Sequence, residues 1–217
     1  MNRCVIITSY QSALLKESFD FAEGDYIICA DGGYSYARAE EIDPDIVIGD
    51  FDSIGLDYIE ADIKRSGLDS GCRIARVPAE KDDTDTLICL KHGIEFGFEE
   101  FFILGGLGGR LDHTLANLQT MSYGVDQQKT VWFLDGKNRA TLRNPGALTV
   151  KNPGDFMISL FAFGESCEGV TIRGVKYPLD HYLMMDSFPI GVSNEFAGKE
   201  AEISHTAGKL LIILSKD

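Results

Sequence analysis

Four acidic residues lie within one six-residue stretch that directly precedes an apolar, helically spaced segment. They are Glu80, Asp82, Asp83 and Asp85. Since Leu87, Leu90 and Ile94 recur at helical spacing, the acids fall at the N-terminus of a predicted helix. Capping and the helix dipole account for two of the four carboxylates. The other two have no such structural role and are candidates for a binding or catalytic site.

A second pair of carboxylates, Asp50 and Asp52, follows the predicted strand Asp45 to Ile48. Carboxylates at positions i and i+2 of an extended segment point to the same side, and the small Gly49 leaves room beside them. Because like charges repel, a divalent cation is one resolution, and Mg²⁺ prefers carboxylate oxygens. A turn in which Asp and Ser cap the next helix explains the same residues about equally well.

Glycines follow two other predicted strands. The strand Phe101 to Leu104 leads into Gly105-Gly106-Leu107-Gly108-Gly109-Arg110 and then a helix from about Leu111 to Met121. Strand, glycine-rich turn and helix make a layout that suits phosphates, with Arg110 as a planar donor. The spacing matches neither the Walker A nor the Rossmann motif, so the turn alone leaves ligand contact open. Asp31-Gly32-Gly33 follows the strand Tyr26 to Ala30, where a tight turn is the favoured interpretation.

These segments share a position in the predicted fold. Apolar strands alternate with helical patterns up to about Leu134, which predicts a parallel sheet with helices on both faces. All the candidate groups then lie at the carboxyl ends of strands, where open α/β sheets bind ligands. Carboxylates for Mg²⁺ and a glycine–arginine turn for phosphates favour phosphoryl or nucleotidyl chemistry.

The pattern changes near Gly136, where we expect a domain boundary. From about Asn138 to Asp217 short β-rich segments alternate with turn residues, which predicts an antiparallel β-sandwich. The expected domains are 1–136 and 137–217. Within the second domain Gly191 to Glu195 forms a polar cluster, and its composition favours a turn.

Composition limits the classes of function. The 217 residues carry 20 basic and 34 acidic side chains, a net charge of −14, which disfavours nucleic-acid and membrane partners. Five cysteines at wide spacing indicate free thiols in a reducing compartment. No signal peptide or apolar run of about 18 residues is visible, so we expect a cytoplasmic protein.

Five segments together resemble the thiamine pyrophosphokinase family, bacterial type. The resemblance spans both predicted domains and rests on Ala30 to Gly33, Pro44 to Ser53, Lys81 to Asp85, Gly105 to Asn117 and Gly191 to Glu195. It implies an N-terminal α/β catalytic domain, a C-terminal β-sandwich for thiamine binding and dimerisation, and a homodimer with sites between subunits. It also implies Mg²⁺-dependent transfer of the β,γ-pyrophosphoryl group of ATP to thiamine.

The resemblance assigns roles residue by residue. Metal ligands would be Asp50, Asp52 and Asp82, which with Asp85 and Arg110 form the catalytic set. ATP would contact Asp31, Gly32, Gly33, Ser53, Thr84, Gly105, Gly106, Arg110 and Asn117. Thiamine would contact Asp112, His113, Ser193 and Asn194, the last two across the dimer interface.

Two questions stay open at the level of sequence. The carboxylate that accepts the hydroxyl proton is not identified, and a phosphate oxygen or metal-bound water could serve instead. The resemblance also implies a C-terminal tryptophan that stacks on thiamine in some members, which this chain lacks because Trp132 precedes the second domain. Phe196, Phe188 and Tyr177 are the candidate substitutes. A non-catalytic sensor of the same fold is the alternative function, and the complete carboxylate set argues against it.

Overall fold

The computed structural model describes residues 3–52, 54–68, 71–78, 80 and 82–217. The chain divides into two compact units, Met1–Gly136 and Lys137–Asp217. Each unit has its own buried apolar cluster.

The first unit is built on a parallel sheet. Its strands are β1 (Arg3–Ile7), β2 (Tyr26–Ala30), β3 (Ile46–Gly49), β4 (Arg73–Arg76), β5 (Glu100–Leu104) and β6 (Thr130–Asp135). They lie in the order β6-β5-β1-β2-β3-β4, and each of the five neighbouring pairs is parallel. On one side of β1 lie β2, β3 and β4. On its other side lie β5 and β6, so the strand order reverses between β1 and β5. Open α/β sheets bind ligands at such a switch point.

Helices cover both faces of this sheet. They are α1 (Leu15–Ser18), α2 (Gly33–Ala39), α3 (Leu56–Ser66), α4 (Asp85–Glu95) and α5 (Leu111–Asp126). Val5 and Ile7 pack in one cluster with Tyr34 of α2, whereas a Cβ atom on Gly93 of α4 would lie 3.1 Å from Cys4 Sγ. Since neighbouring strand residues point to opposite faces, α2 and α4 lie on opposite sides. The predicted fold class is therefore confirmed for this unit.

A buried carboxylate ties α2 to α3. Asp62 of α3 accepts hydrogen bonds from Tyr34 Oη at 2.8 Å and from Arg38 Nε at 3.2 Å, both on α2. Arg65 donates to its other oxygen. The hydrogen bond from Tyr34 and those from the two arginines lower the pKa of Asp62, against the opposing effect of burial. This carboxylate is thus stabilised as an anion by its own fold.

The second unit contains two antiparallel sheets. Its strands are β7 (Asn138–Arg143), β8 (Gly146–Lys151), β9 (Met157–Ala162), β10 (Cys167–Arg173), β11 (Leu179–Met184), β12 (Gly191–Glu195), β13 (Glu200–His205) and β14 (Leu210–Ser215). One sheet has the order β12-β9-β14-β7 and the other β11-β10-β13-β8. Ile158 and Ile212 of the first share a buried cluster with Ile172 and Ile203 of the second. The predicted antiparallel second part of the fold is confirmed.

The composition-based interpretation of Gly191 to Glu195 as a turn is wrong. These residues form β12, which pairs antiparallel with β9 through a register shift between Gly191 and Asn194. Ser193 lies at this irregularity with φ 55°, and its N–H donates to Ser159 Oγ at 2.9 Å. A bulged edge strand tolerates the small polar residues that made the segment resemble a turn.

Two further features concern the cysteines and the helices. All five cysteines are free, and Cys4, Cys29, Cys89 and Cys167 are buried. Of the helices that the structure describes, none combines the length and the apolar character required to cross a membrane.

Candidate active site

Three carboxylates meet at the carboxyl ends of β2 and β3. Asp31 follows β2, and Asp50 and Asp52 follow β3. One carboxylate oxygen from each lies within 4.8 Å of the others. We call these three residues the carboxylate cluster.

The backbone around the carboxylate cluster explains how it is held. Asp31 has φ 45° and donates its N–H to Ile48 O at 2.8 Å. A Cβ atom on Gly49 would lie 2.9 Å from Asp31 Cβ, so only glycine leaves space for that side chain. Phe51 has φ 63° and is only 4% exposed, which anchors the turn between Asp50 and Asp52 in the core. Such left-handed conformations are costly for non-glycine residues and are typical of functional sites.

The negative charges in the carboxylate cluster repel one another. The charge of Asp50 and a hydrogen bond with it raise the pKa of Asp52, and Asp31 and Asp85 add to the effect. The negative charge of Asp85, the first residue of α4, therefore acts on the carboxylate cluster. Hard, closely spaced carboxylate oxygens fit the ligand preferences of Mg²⁺.

The structure changes the grouping of acids that the sequence indicated. Asp31, expected at ATP, completes the carboxylate cluster, whereas Asp82 is exposed and is not part of it. Asp83 pairs with Lys91 of α4 at 2.6 Å, and Thr84 caps that helix by accepting from Leu87 N at 3.3 Å. One of the four acids, Asp83, therefore forms an ion pair, and the helix cap is Thr84 rather than an acid.

A cavity of about 380 Å³ opens at the switch point between β1 and β5. It is lined by the loop after β1, the first turn of α4, the glycine-rich turn and α5. The lining residues are Thr8, Ser9, Tyr10, Ala30, Thr84, Asp85, Thr86, Gly106, Gly108, Arg110, His113, Ala116 and Asn117. Asp85 thus contributes both to this cavity and to the field at the carboxylate cluster.

The glycines of the turn after β5 are required by close contacts. Gly105 and Gly106 have φ of 80° and 76°, and a side chain on Gly105 would clash with Tyr10 O. Asn117 is buried, and its Nδ2 donates to Gly106 O at 2.8 Å. Asn117, expected at ATP, therefore fixes the shape of the turn as well as lining the cavity.

Arg110 is held at the cavity by its neighbour. Its Nη2 and Nε donate to the two carboxylate oxygens of Asp112 at 2.6 and 3.1 Å. This pairing raises the pKa of Arg110 and lowers that of Asp112, although both side chains are largely exposed. A guanidinium presented in this way suits binding of phosphate oxygens.

Other predicted site residues lie apart from the cavity lining or outside the described residues. Gly33 has a structural reason, since a side chain there would clash with Ile7 O, and Gly32 is the residue before α2. Ser53 lies outside the residues that the structure describes. Ser193 and Asn194 belong to the second unit, where the Asn194 side chain accepts from Tyr177 N at 3.0 Å and donates to Tyr177 O at 2.7 Å.

Sequence reasoning missed the loop after β1. Thr8, Ser9 and Tyr10 line the cavity, yet they carry no charge, and the glycine signal at this end of the sheet comes from another loop. Their place beside β5 follows from strand order, which the sequence alone does not provide. The usable signal is that the first strand of such a fold borders the switch point.

The fold and the site together define a class of protein. A parallel sheet that carries carboxylates, a glycine-rich turn and an arginine at its carboxyl edge is typical of α/β enzymes that act on phosphorylated substrates. Comparison with known proteins narrows this class.

The family model "Thiamin pyrophosphokinase, catalytic domain" matches residues 21–133, and "Thiamin pyrophosphokinase, vitamin B1 binding domain" matches residues 148–210. The chain therefore belongs to the thiamine pyrophosphokinase family, and it is an enzyme of that family.

Individual relatives agree. The chain is 30% identical to thiamine pyrophosphokinase of Bacillus subtilis over 78% of its length and 77% of the relative. It is 34% identical to thiamin pyrophosphokinase 1 of Caenorhabditis elegans, over 78% of this chain and 70% of the relative. The solved structure of the Bacillus subtilis enzyme superposes with TM-score 0.86 at 26% identity and covers 99% of both chains. The expected family and fold class are confirmed.

Proposed function

We propose that the enzyme forms thiamine diphosphate and AMP from thiamine and ATP by direct, Mg²⁺-dependent pyrophosphoryl transfer. The observation that carries the proposal is the carboxylate cluster of Asp31, Asp50 and Asp52 beside a cavity lined by Asp85 and Arg110. These groups suit a polyphosphate and its cation, and the family match supplies the acceptor.

In the proposed reaction the thiamine hydroxyl oxygen forms a bond to the β-phosphorus of ATP. The bond from that phosphorus to the oxygen bridging the α- and β-phosphates breaks, and its electron pair leaves with AMP. The hydroxyl proton passes to a nearby carboxylate or phosphate oxygen. No covalent enzyme intermediate is needed, because positioning and charge stabilisation supply the rate enhancement.

The residues divide this work. Arg110 would bind the ATP phosphates, and Gly105, Gly106 and Asn117 would keep the turn open beside them. Asp31, Asp50 and Asp52 would hold Mg²⁺, and the family resemblance adds Asp82, which lies outside the carboxylate cluster. When bound, Mg²⁺ neutralises phosphate charge. The mutual repulsion that raises the pKa of Asp52 supports a cation at this position.

We also propose a homodimer whose partner subunit contributes Ser193 and Asn194 to thiamine, with Asp112 and His113 on the other side. Large apolar side chains are exposed around β11 and β12, namely Leu183, Met185, Phe188, Ile190 and Val192. Exposed apolar groups in such number are typical of an interface. The free thiols support a cytoplasmic setting.

The test measures AMP formation from ATP and Mg²⁺ with and without thiamine. Thiamine-dependent AMP and thiamine diphosphate are expected, together with loss of both when EDTA removes the metal. AMP release at the same rate with and without thiamine would indicate another acceptor. A folded enzyme that releases no AMP would contradict the proposal. Light scattering that gives a monomer at micromolar concentration would contradict the shared site.

A further inference from the structure

We propose that Tyr10 is a substrate-contacting residue whose ring stacks on a flat heteroaromatic ring, either the adenine of ATP or the pyrimidine of thiamine. This inference rests on the proposed function, because that function supplies the two aromatic ligands. It assigns a ligand-binding role to the loop after β1, which none of the five recognised sequence segments contains.

The Tyr10 ring packs against the glycine-rich turn. A Cβ atom on Gly108 would lie 3.0 Å from Tyr10 Oη, and one on Gly109 would lie 2.8 Å from its Cε2. The two glycines thus leave the space that the ring occupies. The residue remains 39% exposed and lines the cavity. An aromatic ring supported by backbone and open to a cavity offers a surface for stacking.

Hydrogen bonds hold the backbone of the loop that carries this ring. Tyr10 O accepts from Gly106 N at 3.0 Å and from Thr8 Oγ1 at 3.2 Å. Gln11 Nε2 donates to Leu104 O at 2.9 Å, which ties the loop to the end of β5. A loop already held in one conformation loses little entropy on binding.

A second anchor lies two residues further along the loop. Ser12 donates both its N–H and its hydroxyl to Oδ1 of Asp135, the buried last residue of β6. The segment from Thr8 to Ser12 is therefore attached to the ends of both β5 and β6. Its only large aromatic side chain, Tyr10, faces the same cavity as Arg110.

The neighbours of Tyr10 indicate which part of a ligand it would meet. Gly108 and Gly109 directly precede Arg110, which suits phosphate oxygens, whereas the Tyr10 ring offers mainly apolar area. Stacking between a base and an aromatic side chain depends on the flat ring and tolerates different bases. The ring of Tyr10 therefore lies against the turn that carries Arg110, so a phosphate-binding group and a ring-binding group are neighbours, as a nucleotide requires.

The experiment compares Tyr10→Leu, Tyr10→Phe and Tyr36→Leu by isothermal titration calorimetry with ATP, thiamine and inorganic tripolyphosphate. Tyr36 lies on α2, is 40% exposed and is absent from the cavity lining, so it is a matched control for the same substitution. Tripolyphosphate carries phosphates without a base. Thermal melting checks that each variant folds, and Tyr10→Met replaces Tyr10→Leu if the latter does not.

We expect Tyr10→Leu to weaken binding of ATP or thiamine by about 5- to 150-fold and to leave the Kd of tripolyphosphate unchanged. The ligand that is affected identifies the stacked ring. Tyr10→Phe should restore tight binding, since it keeps the ring, and Tyr36→Leu should bind as the wild type does.

Other results overturn the inference. Equal weakening of ATP and tripolyphosphate would mean that Tyr10 acts by shaping the glycine-rich turn. Unchanged affinity for both aromatic ligands, or a wild type that binds neither, would remove the contact altogether. Failure of the proposed function can be told apart from failure of this inference. If the wild type binds ATP but forms no thiamine-dependent AMP, the proposed function fails, and the Kd values of the Tyr10 variants still test the stacking contact.

Discussion

In the first unit a single carboxylate, Asp62, and the three carboxylates of the carboxylate cluster have opposite surroundings. Asp62 receives hydrogen bonds from a tyrosine and two arginines, and these lower its pKa. In the carboxylate cluster Asp50 and Asp31 face Asp52, whose pKa is raised. The first arrangement is neutralised by the fold and stabilises it. The second holds one oxygen of each of three acids within 4.8 Å of the others, an arrangement of like charges that is typical of a functional site.

The largest expected effect comes from Asp52→Asn. Losing one oxygen of the proposed Mg²⁺ site, and its charge, should lower thiamine-dependent AMP formation by at least about a hundredfold, since charge stabilisation by a metal provides several kcal/mol. The melting temperature should stay the same or rise, because a repulsion is removed. Assays of AMP release and thermal melting on the same sample test both statements. A stable variant with full activity would end the metal role of Asp52.

Asp62→Asn is the matched substitution in the other group. It keeps the shape but removes the charge that Arg38 and Arg65 contact, so we expect a loss of about 1–3 kcal/mol in the free energy of unfolding. Activity per folded molecule should be unchanged, since Asp62 is absent from the cavity lining. Urea unfolding and AMP assays would measure the two effects. A large loss of activity without loss of stability would contradict the distinction between the groups.

Mg²⁺ provides a smaller but direct probe of the carboxylate cluster. At tenfold its Kd the ion should stabilise the wild type by about 1.4 kcal/mol, a rise of roughly 3–5 °C in Tm. Asp52→Asn should lose most of this rise, whereas Asp62→Asn should retain it. Thermal melts with and without MgCl₂, at constant ionic strength, separate binding from screening. An equal rise in both variants would place the ion elsewhere.

The smallest effect is the pH dependence, and its sign differs between the groups. The pKa of Asp62 is lowered, so its stabilisation is present above the unfolded pKa of about 3.9 and is lost as pH falls through the lower folded value. The pKa of Asp52 is raised, so its ionisation opposes folding above that raised value, and acid relieves the repulsion.

Acid titration of stability tests these signs. Asp62→Asn should be less stable than the wild type, and this deficit should shrink toward pH 3. Any extra stability of Asp52→Asn over the wild type should also shrink toward pH 3, so the two stability differences have opposite signs. Urea unfolding at several pH values measures both differences. If the stability differences of the two variants from the wild type had the same sign and changed with pH in the same way, the surroundings of Asp62 and Asp52 would not be opposite.

The sequence predicted the elements well because each depends on local pattern. The predicted strand Tyr26 to Ala30 is β2 with the same bounds, and α5 begins at Leu111 as expected. The rim of candidate groups also follows from pattern, because parallel strands place their carboxyl ends together.

The arrangement within the rim depends on registers that local pattern does not contain. Ala30 of β2 is opposite Ile48 of β3, which brings Asp31 beside Gly49 and into the carboxylate cluster. The family resemblance instead assigned Asp82 to the metal, and Asp82 lies in a different loop. The loop of Tyr10 was missed for the same reason, since its neighbour β5 is distant along the chain. The bulged strand β12 was missed because its pairing with β9 outweighs its turn-like composition.

Phe51 packs in the hydrophobic core between two acids of the carboxylate cluster, Asp50 and Asp52. It belongs to a buried apolar cluster of the first unit, while the residues on either side belong to the carboxylate cluster. A genetic variant at this position would be classified as a packing defect by its burial, yet its first consequence would be displaced acids and lost turnover. Inherited or selected changes at Phe51 should therefore be judged by enzyme assay as well as by protein abundance.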